Sequence, residues 1–179
     1  QYLPMDKITT GIKSLTRLLA QSLNCSPLSA VKGIMTTDTF PKIVSKKFLM
    51  PPLHPTAYSL HPAPITIWGC AKGSGMIEPD MATMLSFILT DAAITKQALN
   101  RALAIAVEKS FNCLTVDGDT STNDTVFLLA NGEAGHKVIS DGRNFQLFCS
   151  ELTNICIKLA KMLARDGEGA TKLITVNVK

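Results

Sequence analysis

The segment CAKGSGMIEPDMATMLSFILTD, residues 70–91, sets the arrangement of the sequence on either side of it. Its first half is a glycine-rich loop that follows Lys72, and its second half is an apolar run from Met84 to Leu89. The run is compatible with a strand or a helix, but its bulky and β-branched side chains favour a buried strand that begins at Thr83. A hydroxyl group between a flexible loop and a buried segment is suited to nucleophilic attack. The simpler interpretation, in which Thr83 only begins a regular element, stays open at this point.

The sequence around this segment alternates between helix-like and strand-like patterns. Apolar residues recur at helical spacing in some stretches, and short runs of β-branched residues mark others. The predicted helices cover residues 6–20, 26–34, 95–110 and 143–165, and the predicted strands cover residues 43–50, 65–68, 83–89, 126–130 and 173–178. The strand at 126–130 is expected to be short and buried. The first two strands are separated by a loop with too many prolines for regular structure. This order of elements predicts an α/β fold.

Composition limits the class of protein. A chain of 179 residues is long enough for one domain with a substantial core. Hydrophobic residues make up 46% of the chain and charged residues 18%, which predicts large buried interfaces. The longest apolar runs are too short to span a membrane. The net charge of +4 comes from scattered basic residues rather than from a stripe that binds nucleic acid, so we expect neither a membrane nor a nucleic-acid partner.

Cysteine and histidine residues show no metal-ligand spacing. The five cysteines are odd in number and lack a Cys-x-x-Cys pair, which predicts reduced thiols in an intracellular protein. The three histidines are not spaced as metal ligands, either with one another or with the cysteines. We therefore expect no bound metal ion.

Two further segments are rich in side chains that bind small polar ligands. Residues 36–39 (Thr-Thr-Asp-Thr) lie between a predicted helix and the Phe40-Pro41 break, and their oxygens can hydrogen-bond such a ligand. An ordinary polar turn is the simpler interpretation of this segment. In residues 72–75 the lysine precedes the glycines, so the order of a phosphate-binding loop is absent. Lys72 is better suited to a substrate carboxylate, and a solvated surface lysine is the alternative.

Four separate blocks of the sequence resemble the ornithine acetyltransferase family, also called the bifunctional glutamate N-acetyltransferases of arginine biosynthesis. The blocks are Thr36–Lys42 (TTDTFPK), Lys72–Leu85 (KGSGMIEPDMATML), Asp117–Asp119 with Ser121–Thr125 (DGD and STNDT), and Gly167–Lys172 (GEGATK). They occur in the family's order and at compatible spacings across nearly the whole chain. A coincidence of four such blocks is improbable.

The resemblance implies a layered αββα sandwich formed by a precursor that cuts itself before a threonine nucleophile. In this sequence the cut would fall at Ala82–Thr83. Residues 1–82 would then be the C-terminal part of an α chain, and residues 83–179 the N-terminal part of a β chain, within one structural domain. Because family members are longer at both ends, we expect this chain to be the middle of a longer protein. The family's oxyanion-hole Thr-Gly pair and a downstream asparagine and hydroxyl residue lie outside it.

The chemistry of a threonine hydroxyl also supports Thr83 as a nucleophile that is freed by cleavage. A threonine hydroxyl is a weak nucleophile at neutral pH and needs a nearby base, and no histidine here lies in a motif that would supply one. A threonine at its own amino terminus carries its own base, because an α-amine titrates near about pH 8. Cleavage of Ala82–Thr83 would create that terminus. The small Ala82 lets the hydroxyl approach the preceding carbonyl for an N-to-O acyl shift.

The resemblance also implies a reaction and a set of site residues. Thr83 would attack the acetyl group of N-acetylornithine and become O-acetylated, ornithine would leave, and glutamate would accept the acetyl group in a ping-pong reaction. Thr83 would thus both bind and react with the substrate. Lys72 would hold the substrate's α-carboxylate, and Glu168 would meet the cationic amine of ornithine. Thr36 or Thr37 would hydrogen-bond the substrate.

The resemblance also implies the cofactor requirement, the partner chains and the cellular location. No cofactor is expected, and whether acetyl-CoA also serves as an acetyl donor stays open. The α and β chains of one precursor would form a hetero-oligomer. The location would be the cytoplasm of a bacterium or the mitochondrial matrix of a eukaryote.

Two alternatives from other classes remain. In an amino-terminal-nucleophile amidohydrolase or aminopeptidase, water rather than glutamate would accept the acyl group. The combination of Lys72 and Glu168 argues against this alternative, because it suits a zwitterionic amino-acid substrate. In the second alternative the chain is a catalytically dead fragment with only binding or assembly roles. Loss of oxyanion donors lowers an acyl-transfer rate by about 10²–10³, which favours that interpretation for a chain without them.

Overall fold

The computed structural model describes residues 5–11, 26–51, 63–77, 84–119, 121 and 123–177. In chain order the elements are helix α1 (Pro27–Ile34), strands β1 (Lys42–Met50), β2 (Ala63–Lys72) and β3 (Leu85–Thr90), helix α2 (Lys96–Glu108), a 3₁₀ turn (Phe111–Cys113), strand β4 (Thr125–Ala130) and helix α3 (Gly142–Arg165). Residues 5–11 are also helical. They match the start of the helix predicted at 6–20, of which residues 12–20 lie outside the described residues.

The four strands form one sheet in the order β1-β2-β3-β4. The first two pairs are antiparallel, whereas β3 and β4 run parallel. A parallel pair needs a crossover connection, and helix α2 lies within it. Lys72, the last residue of β2, pairs with Leu85 at the start of β3. The glycine loop after β2 and the beginning of β3 therefore lie at the same end of the sheet.

Two helices begin at capping residues that are visible in the sequence. The Ser26 hydroxyl accepts a hydrogen bond from the N–H of Leu28 at 3.2 Å, and Pro27 occupies the first turn of α1. The Thr95 hydroxyl accepts one from the N–H of Ala98 at 3.3 Å at the start of α2. Such caps satisfy N–H groups that have no partner within the helix. Both predicted helix starts are confirmed.

Helix α3 packs on β1 and β2 and supplies much of the core. Its predicted core side chains are all buried: Phe145, Phe148, Leu152, Ile155, Leu159 and Leu163. The helix approaches β2 closely at Gly69, where an added Cβ would lie 3.1 Å from Leu159 Cδ1 and 3.3 Å from Ile155 Cγ2. A glycine at this position allows the close approach. The helix predicted at 143–165 is confirmed.

The sheet face turned away from α3 is largely open in the described residues. Its large apolar side chains that are 46–59% exposed are Leu49, Leu89, Phe127 and Leu129. The rings of Phe87 and Phe127 stack on this face with centroids 5.4 Å apart. The prediction of a strand at 126–130 is confirmed, but its expected burial is wrong. Successive residues of a strand point to opposite faces, and only one face of β4 meets the core.

Residues 171–177 follow α3 without regular structure, and Ile174 and Val176 are each 79% exposed. The prediction of a strand at 173–178 is therefore wrong for residues 173–177, and residue 178 lies outside the described residues. An alternating apolar pattern becomes a strand only where a neighbouring strand supplies hydrogen-bond partners. No strand within the described ranges pairs with this segment.

The described cysteines are thiols rather than disulfides. Cys70, Cys113, Cys149 and Cys156 are free, whereas Cys25 lies outside the described residues. Burial raises the pKa of the Cys156 thiol to about 12, so this thiol stays protonated and unreactive at neutral pH.

The predicted α/β class is confirmed. Of the layered αββα arrangement, the described residues form one helical layer and one sheet, with a continuous core between them. Strands β1 and β2 precede the predicted cleavage site and β3 and β4 follow it, so both parts share one sheet. The division of the chain into parts 1–82 and 83–179 stays a prediction.

Candidate functional site

A small polar cavity lies at the end of the sheet where β2 ends. Its volume is ≈ 240 Å³, and its lining residues are Thr36, Thr37, Lys72, Gly73, Ser74, Gly75, Met76, Asp117 and Glu168. The fold thus brings together four residues that were predicted to bind the substrate: Thr36, Thr37, Lys72 and Glu168. They come from three distant segments of the sequence. Their shared cavity is a structural finding, and their role in binding stays a prediction.

The threonine side of the cavity is fixed by hydrogen bonds. The N–H of Thr36 donates to Asp38 Oδ2 at 3.1 Å. The hydroxyl oxygens of Thr37 and Ser74 lie 2.5 Å apart, and Ser74 is buried. The threonine turn and the glycine loop are therefore joined directly, which gives the cavity one defined wall.

Lys72 lies at the edge of the cavity, at the end of β2. Gly73 follows it with φ 140°, a conformation that favours glycine, and its N–H donates to Asp38 Oδ1 at 2.7 Å. In the part of the chain that the structure describes, no carboxylate forms an ion pair with Lys72. The Lys72 ammonium is therefore available to an anionic group of a ligand.

Two carboxylates, those of Glu168 and Asp117, converge beside Gly75. A Cβ built on Gly75 would lie 3.0 Å from Glu168 Oε2 and 3.6 Å from Asp117 Oδ2. The N–H of Glu168 donates to the carbonyl of Ser74 at 2.6 Å. The absence of a side chain at position 75 thus leaves room for the Glu168 carboxylate against the glycine loop.

Asp117 is held by the backbone of the glycine loop. It accepts hydrogen bonds from the N–H of Met76 at 2.5 Å and from that of Ile77 at 2.8 Å. Burial raises the pKa of the Asp117 carboxyl, but these donors and the N–H of Asp119 lower it more, so the pKa lies below its usual value. Asp117 is therefore ionised at neutral pH. With Lys72 and Glu168 it gives the cavity charges of both signs.

A buried ion cluster adjoins this cavity. Lys42 Nζ lies 2.5 Å from Asp38 Oδ1 and 2.5 Å from Asp166 Oδ2, and Lys42 is 0% exposed. The ring of Phe40 lies 5.1 Å from the same nitrogen. Burial raises the pKa of both carboxyls, but the hydrogen bonds from Lys42 and from neighbouring N–H and hydroxyl groups lower both pKa values below the usual one. Both carboxylates are therefore ionised at neutral pH.

The predicted cleavage site, Ala82–Thr83, lies outside the described residues. The next residue, Met84, is buried and donates its N–H to Asp124 Oδ1 at 2.6 Å. Burial raises the pKa of Asp124, against the lowering effect of this hydrogen bond. Asp124 Oδ2 has no hydrogen-bond partner within the described residues. Because Leu85 pairs with Lys72, the start of β3 lies at the sheet end that bears the cavity.

Sequence reasoning missed several residues of this region. Asp117 was quoted only within a block of the resemblance, and Ser74 and Gly75 only as part of a flexible loop. Lys42 and Asp166 were not singled out, and Asp38 was considered only as one of the ligand-binding oxygens of residues 36–39. A signal was present, because all of these residues lie in or next to the four blocks quoted for the resemblance. Sequence cannot tell a buried lysine from a solvated one, since the difference depends on distant segments.

Metal and membrane features were searched among the described residues. No group of three or more histidines, cysteines or acidic residues there could hold a metal ion. No helix in the described ranges has both the length and the apolar character to cross a membrane. The described histidine, His136, accepts the N–H of Ala93 on its Nε2 at 3.2 Å, so it supports the loop after β3.

The fold and the cavity define a class, namely an α/β protein with a small pocket of mixed charge at the end of its sheet. Comparison with known sequences then gives the family within this class. The chain belongs to the ArgJ family, whose family model matches residues 1–179.

Individual relatives agree with this family. The chain is 48% identical over 179 residues to the mitochondrial arginine biosynthesis bifunctional protein ArgJ of Chaetomium globosum, covering 99% of this chain and 36% of the relative. It is 48% identical over 178 residues to the arginine biosynthesis bifunctional protein ArgJ of Symbiobacterium thermophilum, covering 99% of this chain and 41% of the relative. The crystal structure of the Bacillus halodurans protein is 47% identical, with a TM-score of 0.49 over 50% of this chain and 43% of that chain. The chain thus spans 36–41% of the length of these curated relatives.

Proposed function

We propose that the protein is an acetyltransferase of arginine biosynthesis that moves an acetyl group from N-acetylornithine to glutamate. One observation carries the proposal: Lys72, Glu168 and the Thr36–Thr37 pair line a single small cavity. An ammonium and a carboxylate in one cavity complement the carboxylate and the amine of an amino acid. The relatives named arginine biosynthesis bifunctional proteins support the same pathway.

Each wall of the cavity has a proposed task. Lys72 binds the α-carboxylate of the substrate, since it has no carboxylate partner among the described residues. Glu168 binds the amine of ornithine, and Asp117 beside it adds negative charge at the same end. The hydroxyl of Thr36 or Thr37 hydrogen-bonds the substrate between these ends.

Thr83 is the proposed nucleophile after cleavage of the Ala82–Thr83 bond. Its α-amine takes the hydroxyl proton, Oγ1 bonds to the acetyl carbon, and the bond from that carbon to the ornithine nitrogen breaks. The proton passes to the departing amine. The glutamate amine then attacks the O-acetyl ester, which forms N-acetylglutamate and restores the hydroxyl. The hydrogen bond from Met84 to Asp124 supports this role because it fixes the residue after Thr83.

The two parts of a cleaved chain are proposed to stay together as α and β chains. The ladder between β2 and β3 runs from Lys72–Leu85 to Ile67–Thr90 and joins residues on either side of the cleavage site. We propose no bound cofactor, and acetyl-CoA is a second donor to be tested. The proposed location is the cytoplasm of a bacterium or the mitochondrial matrix of a eukaryote, as for the relatives whose names place them in mitochondria.

An isotope-transfer assay on the complete purified protein tests this proposal. N-acetylornithine labelled in its acetyl group is mixed with glutamate, and the products are separated and counted. The proposal predicts labelled N-acetylglutamate, whereas an amidohydrolase would release labelled acetate without glutamate. Absence of both products contradicts the proposal.

Two threonine variants control that assay. Thr83→Ala is expected to abolish transfer, because it removes the proposed nucleophile. Thr115→Ala, at an exposed threonine that does not line the cavity, is expected to transfer at the unchanged rate. Transfer that survives in Thr83→Ala would show that another group carries the acetyl.

A further inference from the structure

We infer that Lys42 is a positioning residue that sets the distance between the two walls of the substrate cavity. The inference rests on the proposed function, because it assigns Lys42 a role in how that cavity recognises ornithine. Lys42 does not line the cavity itself. Lys42 acts through its two ion-pair partners, Asp38 and Asp166. The contacts of Asp38 form the first arm of the ion cluster, and the contacts of Asp166 form the second arm.

Burial of the Lys42 ammonium needs an explanation beyond stability. Lys42 begins β1, pairs with Ala71 and is 0% exposed. Removal of an ammonium from water is costly unless the charge is fully paired. Well-packed apolar residues often stabilise a core as well as a buried ion pair does. What the ion cluster adds over an apolar core is a fixed direction and distance for each carboxylate.

The first arm of the cluster holds the threonine wall. Asp38 Oδ1 accepts hydrogen bonds from Lys42 Nζ at 2.5 Å and from the N–H of Gly73 at 2.7 Å. Its Oδ2 accepts the N–H of Thr36 at 3.1 Å. One carboxylate thus fixes the residue that precedes Thr37 and the residue that follows Lys72. The position of Asp38 therefore determines where both of these lining segments lie.

The second arm holds the end of helix α3. Asp166, the residue after that helix, accepts hydrogen bonds from Lys42 Nζ at 2.5 Å, from the N–H of Thr39 at 3.0 Å and from the Thr39 hydroxyl. Glu168 follows two residues later, and its N–H donates to the carbonyl of Ser74. The position of Asp166 therefore determines where the Glu168 wall begins.

The Lys42 ammonium bonds to the carboxylates of both arms, which Thr39 also links through its hydrogen bonds to Asp166. Without its positive charge, two buried carboxylates would face each other, and their repulsion would move the arms apart. The separation of Lys72 from Glu168 would then no longer match the separation of charges in the ligand. Loss of one well-placed contact to a charged group costs about ten- to hundred-fold in affinity, so we expect a large effect on ornithine binding.

The test measures ornithine binding and backbone protection in Lys42→Met of the complete protein. We expect the Kd of ornithine, measured by calorimetry, to rise about ten- to hundred-fold, with much less change in kcat at saturating substrate. We also expect faster amide hydrogen exchange at Gly73 and Thr39, whose N–H groups donate to the two arms. Lys42→Arg restores the charge and is expected to recover part of the affinity. Unchanged Kd and unchanged exchange in a folded Lys42→Met protein would overturn the inference.

Three further measurements keep the test decisive. Lys46→Met changes an exposed lysine of the same strand and is expected to leave both readouts unchanged, and equal effects in the two variants would overturn the inference. If Lys42→Met does not fold, Asp166→Asn is tested instead, because it keeps one acceptor oxygen. This variant is expected to weaken ornithine binding and to speed amide hydrogen exchange at Thr39 but not at Gly73. If the wild-type protein neither binds ornithine nor transfers acetyl, the proposed function fails. Amide exchange at Gly73 and Thr39 still decides whether Lys42 positions the two arms.

Discussion

At the scale of single residues, the shape of this cavity depends on the absence of a side chain at position 75 as much as on the charged residues that line it. Glu168 Oε2 lies where a Cβ of residue 75 would come within 3.0 Å of it. Gly75 does not have a positive φ, so its role is to leave space rather than to permit a special backbone conformation. A methyl group added at position 75 would therefore shift the Glu168 carboxylate, which is proposed to bind the ligand.

Gly75→Ala is predicted to weaken ornithine binding by about tenfold or more. The added methyl group moves the Glu168 carboxylate, and a hydrogen bond to a charged group contributes about 1.5–3 kcal/mol. Calorimetry gives the Kd, and circular dichroism shows that the fold is retained. The matched control is Gly33→Ala in helix α1, where an added Cβ has nothing within 4 Å. An equal Kd in wild type and Gly75→Ala would contradict the assignment of Glu168.

Asp117→Asn is predicted to weaken ornithine binding by about threefold to tenfold, on the order of 1 kcal/mol for an exposed charge. The substitution removes a negative charge beside Glu168 and keeps one acceptor oxygen, so one of the two loop N–H groups that donate to Asp117 keeps its partner. Glutamate carries an anionic side chain, so its binding is predicted to stay equal or to strengthen. Competition assays with both amino acids measure the two effects. Asp119→Asn in the same turn does not line the cavity and serves as the control; a parallel loss for both ligands would contradict the role of Asp117.

The site could be predicted from the sequence only as far as a resemblance identified its parts. Lys72, Glu168 and the two threonines were named before the fold was known, and the fold places them in one cavity. Asp117 and Lys42 were quoted within the blocks but not as site residues, because their roles depend on contacts with segments about 40 and 124 residues away. Local pattern carries no information about such contacts.

At the scale of elements, the contact of helix α3 with strand β2 holds the site in place. The helix ends at the residue before Asp166, and β2 ends at Lys72. Gly69 lets the helix lie close to the strand, with Leu159 against it. Packing along this contact therefore sets where both walls of the cavity begin.

Leu159→Ala is predicted to lower the free energy of unfolding by about 2–5 kcal/mol. Leu159 is fully buried, and its removal leaves a cavity between the helix and Gly69. Urea unfolding followed by circular dichroism measures the change. Lys158→Ala, at an exposed position one residue earlier, is expected to change the free energy by less than about 0.5 kcal/mol. A loss below about 1 kcal/mol for Leu159→Ala would contradict the packing.

Element starts with local signals were predicted well, and element ends set by tertiary contacts were not. Ser26 and Thr95 cap their helices, as their positions in the sequence indicate. Strand β2 extends to Lys72 rather than ending at Trp68, because pairing with β1 and β3 continues through small residues of low strand propensity. The segment 173–177 has strand-like composition but no neighbouring strand among the described residues.

At the scale of the whole molecule, the buried ion cluster links folding to pH. Asp38 and Asp166 have pKa values below the ordinary value of 3.8 in the folded protein. A carboxyl whose pKa is lower in the folded than in the unfolded state stabilises the fold above the unfolded pKa. That stability is lost as the pH falls through the folded pKa.

The free energy of unfolding of the double variant Asp38→Asn/Asp166→Asn is therefore predicted to fall less steeply below about pH 4 than that of the wild type. Urea unfolding at a series of pH values measures the slope of the free energy. Glu133→Gln, at an exposed loop residue, is the control and is expected to follow the wild type. A double variant with the wild-type slope would show that these two carboxyls do not carry the acid sensitivity.

The α/β class follows from the order of the elements, whereas the exposure of the outer sheet face does not. Phe127 and Leu129 have the composition of buried strand residues, yet each is about half exposed. Which face of a strand is covered depends on the layers around it, and sequence pattern within the strand does not specify them.

The central claim is that Thr83 becomes an amino-terminal nucleophile that carries the acetyl group. The most direct test is intact mass and N-terminal sequencing of the complete purified protein, before and after mixing with N-acetylornithine alone. We predict two fragments that meet at Ala82–Thr83, with one acetyl group added at Thr83 and removed again by glutamate. A single uncut chain that takes up no acetyl group, or an acetyl group on another residue, would contradict the account.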